Sequence, residues 1–82
     1  MITVEYYGPL RRLIGLQEER LSVSKVTELL EELRRRYGYE ACQEAARSFI
    51  LINGNNIALL DGLKTSLQQG DTVKIIPLAG GG

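Results

Sequence analysis

The residues with the clearest chemical potential are the last three, Gly80-Gly81-Gly82, which follow a strand-like run that stops at Pro77. None has a Cβ, so the terminal carboxyl sits on a tether able to thread a channel too narrow for side chains and to lie beside a bound nucleotide. Three glycines also leave nothing apolar to pack, and glycine loses the most backbone freedom on ordering, so a loose string in free solution is expected. At roughly 3.3 Å per residue, Leu78 to Gly82 reaches about 15 Å beyond the last strand, enough to enter a partner's active site while the body stays outside. An inert Gly-rich tail has the same composition, so the preceding residues must decide between the two.

Elsewhere the chain offers little for chemistry. It has 82 residues, no histidine, one cysteine and no G-x-x-x-x-G-K-[ST]. It therefore lacks a recognisable zinc site, a Cys/His or Ser/His pair and a phosphate loop, which argues against a self-contained enzyme. Cys42 stands among alanines and reads as a small packed thiol. As the sole cysteine it cannot form an internal disulfide, which fits a reducing compartment. Ten basic and ten acidic residues cancel, so no global field draws the chain to nucleic acid or an anionic membrane. No run is long and apolar enough to span a bilayer, and Met1 leads into strand-like sequence instead of a basic and then apolar leader. The expectation is a cytoplasmic protein with neither nucleic-acid nor membrane partners.

Positioning the tail falls to one small domain, residues 1–77, with 78–82 as its extension. Ile2, Val4 and Tyr6 alternate with Thr3, Glu5 and Tyr7, as in a half-buried strand. Gly8-Pro9 breaks it, and Leu10 to Gly15 reads as a short helical turn. Gln17 to Val23 returns to alternation, with Leu21 and Val23 inward on a second strand. Ser24 is placed to cap the longest element, a helix whose stripe is Val26, Leu29, Leu30, Leu33 and Tyr37. Its glutamates precede its arginines, as the helix dipole favours, and Glu31–Arg35 and Glu32–Arg36 stand four apart for pairing. Arg34-Arg35-Arg36 is thereby explained by helix stability before any binding patch is invoked. Tyr39 to Ala46 suggests a further helical turn.

Ser48 to Ile52 is apolar on both faces, as in a strand inside a sheet and under a helix. Asn53-Gly54 is a tight-turn dipeptide, with Ile57 to Leu60 as the return strand. Leu63 and Leu67 are expected to anchor a loop, and Thr72 to Ile76 closes the domain with Val73 and Ile75 inward. One main helix must then cover one face of a mixed sheet of about five strands, an α+β arrangement. If the last strand lies beside the first, the fold is a β-grasp, and its other face carries Tyr7 and Ile76 side by side, joined by Ile57, at the root of the tail.

This order, together with Val4-Glu5-Tyr6-Tyr7-Gly8-Pro9-Leu10-Arg11-Arg12-Leu13-Ile14-Gly15, the Ile52-Asn53-Gly54 turn, and Leu67-Gln68-Gln69-Gly70-Asp71-Thr72-Val73 before Ile75-Ile76-Pro77 and a glycine end, resembles the small subunit of molybdopterin synthase. That group belongs to the ubiquitin-like MoaD/ThiS sulfur carriers, and the likeness spans the whole chain. The resemblance implies that Gly82 is adenylated by a ubiquitin-activating-type enzyme using ATP and converted to a thiocarboxylate by a sulfur donor protein. Gly80 and Gly81 would thread into the large synthase subunit, which moves the sulfur onto a pterin precursor. Tyr7, Ile57 and Ile76 match the family's partner-contact surface, and no cofactor is expected on this chain itself. Gly80 departs from the pattern, since many relatives have another small residue before a final glycine pair. Thiamine-pathway carriers, tRNA-thiolation carriers and protein modifiers share the activated tail, with Lys25, Lys64 and Lys74 as candidate conjugation sites. A noncovalent β-grasp interaction module with inert glycines is the reading from a different class.

Overall fold

The structure, a computed structural model, describes residues 1–78. The alternation of the opening residues becomes strand β1, Ile2–Tyr6, with Ile2, Val4 and Tyr6 buried. Proline at the first position opens helix α1, Pro9–Ile14, and Gly15 closes it in the left-handed conformation. Strand β2, Glu18–Leu21, runs antiparallel to β1 with Leu21 opposite Ile2. Helix α2, Val26–Tyr37, buries Val26, Leu29, Leu30 and Leu33.

Gly38 separates α2 from a full third helix, α3, Tyr39–Ala46, where the sequence suggests only a turn. The buried side chains of α3 are Ala41 and Ala45. Two small residues give a weak periodic signal yet let a helix approach the core closely, which is why its length is hard to read from sequence. Cys42 packs against the core from the same helix.

Strand β3, Phe49–Ile52, is followed by the two-residue turn Asn53-Gly54 and by strand β4, Asn55–Asn56. Both turn residues have positive φ, 50° and 88°, the combination that matches strand twist in tight hairpins. The chain then makes two 3-10 turns, Ile57–Leu59 and Gly62–Lys64, and returns as strand β5, Thr72–Ile76. The sheet order is β2-β1-β5-β3-β4, with β1 and β5 parallel and the remaining pairs antiparallel. The architecture is therefore a ubiquitin-like β-grasp: a mixed five-stranded sheet with α2 and two shorter helices packed on it.

Four local expectations change. Ser24 precedes the cap position, which Lys25 occupies. The Ser24 N–H and hydroxyl both donate to Glu28 Oε1 at 2.9 Å, tying the residue before the cap to the first turn, and these bonds hold the Glu28 carboxyl below its usual range. The register is set by the neighbouring segment, since Leu67 N–H donates to Ser24 O and Val26 N–H to Thr65 O. Of the two expected ion pairs, Glu32–Arg36 forms, with Arg35 as a second partner of Glu32, whereas Glu31 pairs with Arg34 in place of Arg35, because residues three apart are also neighbours on a helix. Leu63 is exposed, and the loop is held instead by buried Leu67 and Thr65, whose hydroxyl oxygen accepts the Asp61 N–H. The return strand is the fourth, and it bears on the functional site below.

One polar cluster clips the edge of the sheet to the helix. Glu19 lies opposite Val4 on the inner face of β2, and its Oε2 accepts from both the Tyr6 and Tyr37 hydroxyls at 2.6 Å. Arg36 approaches its other oxygen at 3.5 Å. Burial first, and then the bond to Glu19, pushes the Tyr6 hydroxyl far above the usual tyrosine range, and Tyr37 moves the same way. Replacing Glu19→Ala orphans the Tyr6 hydroxyl in the core and is expected to lower stability by about 1–3 kcal/mol. Urea denaturation checks this, and an unchanged midpoint would show that water takes over the carboxylate's role.

Candidate functional site

All three helices pack on the face that carries Ile2, Val4, Tyr6, Ile50, Ile52, Val73 and Ile75, which leaves the opposite face of the sheet open. Period-two alternation sends Thr3, Glu5, Thr72, Lys74, Ile76, Phe49 and Leu51 to that open face. The strand register arranges them in rows. Ile76 stands opposite Phe49, and continuing the β1–β5 register one step past Tyr6 and Ile75 sets Tyr7 beside Ile76. The next row holds Glu18, Glu5, Lys74, Leu51 and Asn56. The face is thus apolar at one end and charged towards the other. The apolar end is where β5 runs into Pro77.

Tyr7 is held from two sides. Its hydroxyl donates to Glu5 Oε1 at 2.7 Å, and the Arg11 guanidinium lies 5.3 Å from its ring centroid. Arg11 is itself fixed by donating from Nε to Tyr6 O at 3.0 Å. The bond to the Glu5 carboxylate raises the Tyr7 hydroxyl above its ordinary value, so the ring remains a neutral donor across the physiological range. A ring fixed in this way loses little rotamer freedom when a partner covers it.

Of the expected contact residues, Tyr7 and Ile76 meet on the open face and Ile57 does not. Ile57 is only 9% exposed and belongs to the core cluster. Its parity follows from the turn: Asn53-Gly54 takes two residues, so Ile52 pairs with Asn55 and Leu51 with Asn56. Asn56 therefore faces out, and the next residue must face in. Ile57 opens a 3-10 turn instead of a strand, and the Asn56 side chain caps that turn by accepting the Ala58 N–H at 2.9 Å.

Phe49 and Leu51 are the open-face apolar residues that sequence reasoning missed. Phe49 is 42% exposed, the most open large side chain in its row. The available signal was arithmetic: Ser48 to Ile52 is apolar on both faces, yet the chain has one long helical stripe and can cover only one of them. The second apolar face had to remain uncovered.

Gly80, Gly81 and Gly82, the expected acyl and threading residues, lie outside the described residues. The site as described ends at Pro77 and a half-exposed Leu78. A cavity of about 360 Å³ lies at the other end of the molecule, lined by Met1, Ile2, Ser24 and Glu28 among others. Because β1 and β5 are parallel, the start of β1 is the end farthest from the tail, so this cavity is not part of the tail's site. Among the described residues no helix is long and apolar enough to cross a membrane.

The ThiS family model matches residues 4–82. The chain is similar to small archaeal modifier protein 1 from Methanosarcina acetivorans, with 32% identity, TM-score 0.84, and coverage of 99% of this chain and 95% of the other. It is also similar to a protein described as a putative molybdopterin converting factor, subunit 1, from Pyrococcus furiosus, with 25% identity, TM-score 0.74, and coverage of 93% and 94%. A chain in the complex of subunits 1 and 2 of the molybdopterin-converting factor from Helicobacter pylori shares the fold at 23% identity and TM-score 0.69, with coverage of 99% and 97%. Comparison with curated proteins finds no match. A family match over nearly the whole length, on a β-grasp whose open apolar row abuts the root of a glycine end, establishes that the chain belongs to the ThiS family.

Proposed function

We propose that this chain is a cytoplasmic sulfur carrier serving as the small subunit of a molybdopterin synthase. A carboxylate is a poor acyl donor. An adenylating enzyme of the ubiquitin-activating type would attack ATP with the Gly82 carboxylate, releasing pyrophosphate and leaving an acyl-AMP. Sulfide-level sulfur (HS⁻) delivered by a donor protein then attacks the acyl carbon and displaces AMP, and the product is a thiocarboxylate. The large synthase subunit covers the open face while Gly80 and Gly81 thread into it and present the sulfur to a pterin precursor. No step needs an acid, base, metal or cofactor on the carrier, and ATP belongs to the activating partner.

The observation that carries this reading is the row Tyr7, Ile76 and Phe49 on an uncovered sheet face, at the end of the strand that leads into the glycine terminus. Similarity to the Pyrococcus furiosus subunit supports the molybdopterin destination. A second reading, a modifier joined to protein lysines, is favoured by the 32% identity to the archaeal modifier protein. Both readings use the same activated end and differ only in the acceptor.

Incubation with the cognate adenylating enzyme, ATP and sulfide, followed by intact mass measurement, tests the shared step. Exchange of one terminal oxygen for sulfur is the expected result. An unchanged mass with an enzyme active on another carrier would leave a noncovalent interaction module. Capture of the large synthase subunit, against isopeptide-linked lysines, then separates the two acceptors.

A further inference from the structure

The two central strands leave the sheet side by side. Strand β1 passes into α1 through Gly8, and β5 passes into the tail through Pro77. Continuing their register two steps past Tyr6 and Ile75 brings these residues together. Proline has no N–H, so the hydrogen-bond ladder gains no donor there. Packing must hold the chain's direction instead.

Gly8 supplies that packing in an unusual way. Its backbone has φ 60° and ψ −139°, a combination open to glycine almost alone. A Cβ built on it would lie 2.7 Å from Pro77 Cγ and 3.3 Å from Cδ. The pyrrolidine ring therefore occupies the space that a side chain on residue 8 would need. Gly15, Gly38, Gly54, Gly62 and Gly70 also have positive φ, but a Cβ on any of them would meet nothing within 4 Å. Those five are needed for turns, whereas Gly8 is needed for both conformation and contact.

The geometry points to Gly8 as a positioning residue for the tail: its bare α-carbon is the seat for Pro77, and that seat sets the direction in which the chain leaves the body. This inference rests on the acyl-carrier reading, since aim matters only if a carboxyl must be delivered. The apolar row abuts the seat, so a partner bound to the row meets the tail at a defined starting point. A fixed start reduces the chain entropy lost on threading. Neither residue touches the reacting atoms.

The test is the rate of thiocarboxylate formation with the cognate adenylating enzyme, ATP and sulfide. Pro77→Ala removes the ring and leaves Gly8 unstrained. It is expected to lower kcat/KM about tenfold, chiefly through KM, with the melting temperature unchanged. Gly8→Ala displaces the ring and also strains the backbone at φ 60°, so it should lower kcat/KM at least as much. Because the ring contact is shared and can be lost only once, the double variant should lose no more than the worse single. Wild-type loading by Pro77→Ala, or single losses that multiply in the double variant, would overturn the seat while leaving the carrier intact. Failure of the unaltered protein to load from an enzyme active on another carrier would overturn both. An NMR cross-peak between the Gly8 α-protons and the Pro77 ring is expected independently of activity, and its absence would overturn the seat alone.

Discussion

Removal of Gly81 and Gly82 is expected to abolish sulfur loading while the unfolding midpoint stays that of the full chain. Two residues shorten the tether by roughly 7 Å. A misplacement of only about 1 Å at a reacting centre can cost 10²-fold, so a carboxyl this far short should give no detectable product. Stability should not follow, because the buried hydrophobic residues run from Ile2 to Ile75 and none lies beyond β5 among those described. Intact mass and a thermal melt on the same sample separate the two effects. Undiminished loading of the shortened chain would mean that the reactive end needs no set reach. A collapse of the melt would mean that the final residues support the body.

The second large effect is expected on the open face. Phe49→Glu puts a charge at the most exposed position of the apolar row, where a docked partner would bury it without a counter-ion. Removing a central aromatic anchor typically costs about 2 kcal/mol or more, which is at least roughly 30-fold in Kd. The fold should tolerate the change, because Phe49 already meets solvent. Glu40→Ala, exposed on α3 at the helical side of the sheet, is the control and should bind almost normally. Calorimetric titration with the large synthase subunit gives both values. Equal affinity for Phe49→Glu and the unaltered protein would move the interface off this face.

Much of this architecture was legible because its signals are periodic. The alternation in Ile2 to Tyr7, the five-membered stripe of α2 and the Asn53-Gly54 turn each specify one local structure, and together they leave the β-grasp as the economical arrangement. What escaped reading was decided by parity and by small side chains. Whether Ile57 or Asn56 faces outward depends on the turn taking two residues and not three, and a slip of one residue reverses every subsequent side chain. The length of α3 rests on Ala41 and Ala45, whose burial contributes too little apolar area to stand out in a pattern. Phe49 and Leu51 were visible as a two-faced apolar strand, but recognising them required counting the layers available to cover it. The Gly8–Pro77 contact joins opposite ends of the chain, and no local window contains both residues.

The parallel pairing of β1 with β5 has a consequence for biosynthesis. The middle of the sheet is built from the first and the last of the described strands, so its decisive contacts are among the most distant in sequence and nothing local can substitute for them. A nascent chain released before β5 lacks its central strand and has no route to the finished sheet. A product that stops short of β5 also lacks Ile76, the residue that joins Tyr7 to Phe49 across the open face, so the exposed apolar row never forms.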